Sequence, residues 1–126
     1  MLEHGYYTLV VQDNFVLSQL FGAWNVERTK NYAEHMQKVA SELTAKPWAR
    51  IVNLSSWEGG GTDVIQPLQD LQKWAEQNNC KHVVFINPPL IPNYMLQKHG
   101  DPYHGYKIFE DQEEAISWVK AELDNL

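Results

Sequence analysis

Two short apolar runs, Trp48-Ala-Arg-Ile-Val-Asn-Leu and His82-Val-Val-Phe-Ile-Asn, flank a stretch whose apolar residues recur at helical spacing. A run of β-branched and aromatic residues with little polar interruption fits a strand covered on both faces of a sheet. Between the runs, Val64, Leu68, Leu71, Trp74 and Ala75 form one stripe of a helix that ends near Asn79. A strand, helix, strand succession returns the chain to the same end of the sheet, so the two strands are parallel and the crossover right-handed. This motif confines the chain to a layered α/β fold.

The remaining segments extend the pattern. Residues 6–12 and 15–22 are rich in Val, Leu, Phe and Tyr and are broken at Gln12-Asp13-Asn14, which predicts an antiparallel hairpin. Asn25 is placed to cap a helix running to about Leu43, with Val26, Ala33, Met36, Ala40 and Leu43 on one face. Ser55 to Asp63, with glycines at 59–61, reads as a loop, and Thr62 or Asp63 as the cap of the next helix. Pro67 belongs in the first turn of that helix, which moves its start beyond Asp63. Residues 92–99 suit a short helix ended by Gly100, and residues 105–109 a last strand. Asp111 then caps a C-terminal helix with an apolar stripe of Ile116, Val119, Leu123 and Leu126. The expected order is β-β-α-β-α-β-α-β-α, a mixed sheet of about five strands covered by helices in one domain over 1–126.

Composition narrows function. A net charge of −6, with Lys and Arg scattered singly, argues against nucleic acid, whose binding draws its strength from clustered cations. Met1-Leu-Glu-His-Gly lacks the basic and apolar regions of a secretory signal, and no apolar run approaches a membrane span, so a cytoplasmic location without membrane insertion is expected. The single cysteine, Cys80, permits no internal disulfide and reads as a packing residue.

The segments Ala49-Arg-Ile-Val-Asn-Leu-Ser-Ser-Trp57, Pro67, Leu71 with Trp74-Ala75, His82-Val-Val-Phe-Ile, and Tyr106-Lys-Ile-Phe-Glu-Asp-Gln-Glu-Glu-Ala-Ile-Ser-Trp118 together resemble the small bacterial SpoIIAA-like, or STAS-like, domain proteins. The resemblance spans nearly the whole chain in element order. It implies a four- or five-stranded sheet covered by helices and a regulatory, non-catalytic role like that of anti-sigma-factor antagonists. In those antagonists a serine of an Asp-Ser-Ser-Gly-like motif, at the start of the helix after the central strand, is phosphorylated. Here the corresponding place is Gly61-Thr62-Asp63-Val64, and the motif is missing. Thr62 is the hydroxyl near the acceptor position, while Ser55 and Ser56 lie at the strand end.

The loop expected over 55–63 leaves the carboxyl end of the central strand, where open α/β sheets place ligands. Its three glycines lack the lysine of a P-loop and the spacing of a dinucleotide fingerprint, and Asp63 would repel an anion, so a flexible connector is expected. Ser55, Ser56, Trp57, Thr62 and Asp63 form the candidate partner or ligand surface, with Trp57 expected to be exposed. Tyr94, Met95 and Tyr103 are candidates to line an apolar cleft beside it. His99 and His104 are weak metal candidates, since no helical spacing gathers them on one ion. No cofactor is implied.

Three readings follow. The first is a non-catalytic domain docking a protein partner through residues 55–64. The second is a carrier or sensor of a small apolar or lipid-like molecule held between the 55–63 and 88–104 segments. The third is an enzyme using His99, Asp101 or His104. An exposed edge strand would in addition permit a homodimer.

Overall fold

A two-residue turn, Asp13-Asn14, starts the sheet, and Asp13 takes the positive φ of +48° that tight hairpins need at their first position. It joins β1 (Tyr6–Gln12) to β2 (Phe15–Trp24), antiparallel in unbroken register from Gln12–Phe15 to Tyr6–Phe21. The structure, a computed structural model, describes residues 5–88, 97–98, 101–102 and 106–126. Asn25 then opens α1 (Val26–Ala40), its side-chain oxygen accepting the Arg28 N–H at 3.0 Å, and a 3-10 turn carries the chain on to Leu43. After α1 come β3 (Trp48–Gly60), a 3-10 turn at Thr62–Val64, α2 (Ile65–Gln77) and β4 (Cys80–Ile86). A small antiparallel pair, β5 (Gln97–Lys98) and β6 (Asp101–Pro102), precedes β7 (Tyr106–Phe109) and α3 (Gln112–Asp124), which Asp111 caps.

The main sheet runs β1-β2-β3-β4-β7, with β2, β3, β4 and β7 parallel and β1 as the antiparallel edge. This is the expected mixed five-stranded α/β sheet. The strand β5 stands where the helix expected over 92–99 would have ended. The rest of that expectation lies outside the described residues.

Side chains alternate across the sheet and build two cores. On one face, Val16, Leu20, Trp48 and Val52 meet Tyr32 and Met36 of α1 and Leu71 and Ala75 of α2. On the other, Phe15, Ala49, Ile51 and Val84 meet Ala115 and Val119 of α3. Leu126, expected on the buried stripe, is exposed beyond the end of α3. Among the described residues no helix is long and apolar enough to cross a membrane.

Candidate functional site

The candidate surface begins where β3 outruns its neighbour. Pairing of β3 with β4 ends at Asn53–Ile86, while pairing with β2 continues to Trp24–Gly60. Residues 55–60 are therefore strand, not the expected loop. The ten-residue β2 is long enough to hold them, and two register shifts absorb the extra residues of β3. The second shift falls between Gly22–Trp57 and Ala23–Gly59, with φ of +77° at Gly22 and +85° at Gly59.

The first shift explains Trp57. Strict alternation from Trp48 through Val52 and Leu54 would turn residue 57 toward α3. The extra residue near Ser55 inverts that parity, so Leu54 and Trp57 face the same core. Trp57 is 5% exposed, with its ring edge-on to Trp24 at 6.2 Å, which corrects the expectation of an exposed cleft residue. Its indole N–H is buried without a hydrogen-bond partner among the described residues.

The glycines are not a flexible connector either. A Cβ on Gly60 would lie 2.8 Å from the Trp24 carbonyl oxygen and 2.9 Å from Val64 Cγ1, so the strand passes against the start of the helical segment with no room for a side chain. Gly60→Ala is expected to lower stability by about 1–3 kcal/mol through overpacking. Thermal unfolding reads this directly, and an unchanged midpoint would count against the close approach.

Ser55, Ser56, Thr62 and Asp63 are exposed around this strand end. Neither Thr62 nor Asp63 is the expected cap, because the 3-10 turn intervenes and α2 begins after Val64 without a side-chain capping bond. Pro67 lies in the first turn, as expected. Of the exposed residues, Ser55 and Ser56 line a separate hollow described below, while Asp63 lines a groove of about 420 Å³ between α1 and α2. Its floor is apolar, from Val26, Ala33, Pro67 and Leu71, and its rim carries Glu34, Asp63 and Asp70 against Lys30.

A buried polar network bonds the two helices of the groove walls to the sheet. Arg50 of β3 donates from Nη1 to Gln72 Oε1 of α2 at 2.6 Å and from Nη2 to the Tyr32 hydroxyl of α1 at 3.1 Å. Tyr32 in turn shares a 2.9 Å hydrogen bond with Ser18 of β2. All four residues are buried, Arg50 at 5% exposure. Four elements thus meet through directional bonds in a low-dielectric interior, where misplacement costs more than in water. Nothing in the sequence reading singled these residues out. The available signal was parity, since Arg50 stands between Trp48 and Val52 on the inward side of β3.

The opposite face carries an uncharged cluster at the same end of the sheet. Asn53 Nδ2 donates to Gln112 Oε1 at 2.8 Å, and Asn87 Nδ2 donates to Ser55 Oγ at 3.1 Å and to the Glu110 carbonyl at 3.0 Å. The hollow beside it, lined by Gln19, Phe21, Asn53, Ser55 and Ser56, measures about 170 Å³, below the roughly 300 Å³ at which ligand pockets start. A carrier site there has little room. The other residues of the carrier reading, Tyr94, Met95 and Tyr103, lie outside the described residues, as do the metal candidates His99 and His104. Among the described residues no three His, Cys, Asp or Glu side chains gather to hold a metal.

Cys80 is buried, and its Sγ–H donates to the His82 carbonyl at 3.3 Å. Burial pushes the thiol from 9.0 up to about 11, partly offset by the nearby Arg50 charge. The unfolded chain releases this proton near pH 9, whereas the folded protein holds it toward 11. The folded state binds more protons in that window, so stability falls as pH rises, by up to about 1.4 kcal/mol per pH unit. Cys80→Ala is expected to flatten this part of the stability curve in urea titrations. Parallel curves for the two proteins would refute the shift.

The fold defined by this sheet and these helices is SpoIIAA-like. It is similar to that of an uncharacterised DUF3478-family protein with a SpoIIAA-like fold from Shewanella loihica PV-4, with a TM-score of 0.63 and 13% identity over 94% of this chain and 96% of that one. The anti-sigma factor antagonist SpoIIAA in its unphosphorylated form gives a TM-score of 0.68 and 16% identity over 91% of this chain and 96% of its own. An anti-sigma factor antagonist from Mycobacterium paratuberculosis gives 0.63 and 13%, over 92% and 94%. No family model and no curated protein sequence matches the chain.

Proposed function

We propose that the chain is a non-catalytic regulatory domain of the cytoplasm that docks a protein partner across Ser55, Ser56, Thr62, Asp63 and the adjoining α1–α2 groove. One observation carries the reading: an acidic rim of Glu34, Asp63 and Asp70 surrounds an apolar floor between α1 and α2, two helices that the Arg50 network bonds to the sheet. A rigid apolar floor lets a partner bury a side chain without an ordering cost, while rim charge selects orientation and partner. The rim favours a partner segment that sets basic side chains around an apolar one. The likeness in fold to anti-sigma factor antagonists supports a regulatory or interaction role in general.

Affinity capture from the native cell with mass spectrometry, comparing wild type with Asp63→Lys/Asp70→Lys, tests the proposal. A protein retained by wild type and lost from the folded variant supports it. The same set of proteins on both baits, or a small molecule alone, overturns it.

A further inference from the structure

The two edges of the main sheet are built differently. β7 is four residues long and carries Lys107, which suits an edge that must stay unpaired. β1 is seven residues, Tyr-Tyr-Thr-Leu-Val-Val-Gln, with no charge, no proline and no break in its register with β2. Tyr6, Val10 and Val11 are 59%, 50% and 45% exposed. Among the described residues, none of the features that keep natural edges from pairing is present on it.

Hydrogen-bond geometry gives the outer edge a definite pattern. A two-residue hairpin closes on a hydrogen-bonded pair, here Gln12–Phe15, and such pairs alternate along the ladder. Residues 6, 8, 10 and 12 therefore direct their N–H and C=O groups to β2, and Tyr7, Leu9 and Val11 direct theirs outward.

We propose that β1 pairs antiparallel with β1 of a second copy of this chain, about a two-fold axis through Leu9 perpendicular to the sheet. In that register Leu9 faces its own counterpart, Tyr7 faces Val11 of the second copy, and Thr8 faces Val10. The three outward residues of each copy then exchange about six backbone hydrogen bonds. Tyr7 against Val11 is an aromatic to β-branched pair, a favoured cross-strand combination. No pair sets like charges against each other, so the edge is complementary to itself. The two-fold axis also brings both copies of α1 to the same face, with His35, Lys38 and Glu42 lining a hollow beside Val11 in each. The net charge of −6 on each copy opposes the approach at long range, so association should strengthen as salt screens it.

Sedimentation of the full chain over rising concentration is the test, with mass expected to climb from 14.6 kDa toward twice that value, and further at higher salt. Val10→Lys sets two ammonium groups on a close diagonal of the pair. Val11→Pro deletes an outward N–H. Each is expected to weaken self-association at least about tenfold with the far-ultraviolet spectrum unchanged. Ile108→Lys, on the β7 edge, is expected to leave it intact. Hydrogen exchange on wild type provides a readout independent of folding defects: amides of Tyr7, Leu9 and Val11 gain protection with concentration, while those of Thr8 and Val10 are already protected. A monomer at every concentration overturns the proposal and leaves the edge to a strand of another protein. A dimer broken by Ile108→Lys but not by Val10→Lys, or one without protection at those three amides, overturns it as well.

Discussion

Replacing Trp48 by alanine is expected to lower unfolding free energy by about 3–5 kcal/mol, the usual range for removing a buried large aromatic side chain. Trp48 is fully buried at the first position of β3, with its ring tilted against Trp74 of α2 at 6.2 Å. Its indole N–H donates to the Asn78 carbonyl at 2.6 Å, and its backbone N–H donates to the Asn79 carbonyl at 3.0 Å. One residue therefore ties the central strand to the exit of α2, and truncation opens a void and orphans a carbonyl together. Stability of order 5–15 kcal/mol is typical for a domain of this class, so the loss is a large share of the total. Trp48→Phe separates the two effects: it keeps most of the ring and should cost about 1–3 kcal/mol, mainly from the unsatisfied Asn78 carbonyl. Urea unfolding followed by circular dichroism measures both. Equal costs for the two variants would refute this division.

Features that depend on local chemistry were legible in the sequence. The hairpin at Asp13-Asn14, the Asn25 and Asp111 caps and the buried β4 run each follow from a few neighbouring residues, and the structure holds all of them. Topology followed because crossover rules leave few ways to join such elements. What escaped depended on the pairing register. Ser55 to Gly60 has loop composition, yet a long β2 extends the ladder through it and a register shift turns Trp57 inward. Ser55, Ser56, Thr62 and Asp63 remained on the surface, so the candidate face kept its polar members and lost its aromatic one. Gln72 and Tyr32 were invisible for a related reason. Their burial follows from where α1 and α2 cross the sheet above Arg50, which no single-element periodicity encodes.

That crossing yields the second large prediction. Gln72→Leu removes the acceptor of Arg50 Nη1 and is expected to cost about 3–5 kcal/mol, because a buried charge that loses a partner retains its desolvation penalty. Arg50→Met fills similar volume but leaves the Gln72 amide facing an apolar side chain, at a cost of about 1–3 kcal/mol. The double variant Arg50→Met/Gln72→Leu should be far milder than the sum, since neither the Arg50–Gln72 bond's unpaired donor nor its orphaned amide survives. Tyr32 would keep its 2.9 Å bond to Ser18, so no further hydroxyl is stranded. Strong non-additivity of this sign is the signature of a mutually satisfied buried pair, and additive losses in urea titrations would refute it. The comparison also bears on the groove. If the network serves chiefly to hold α1 and α2 at a fixed separation, the double variant should be stable yet bind the captured partner more weakly. If apolar packing fixes the walls equally well, binding should survive.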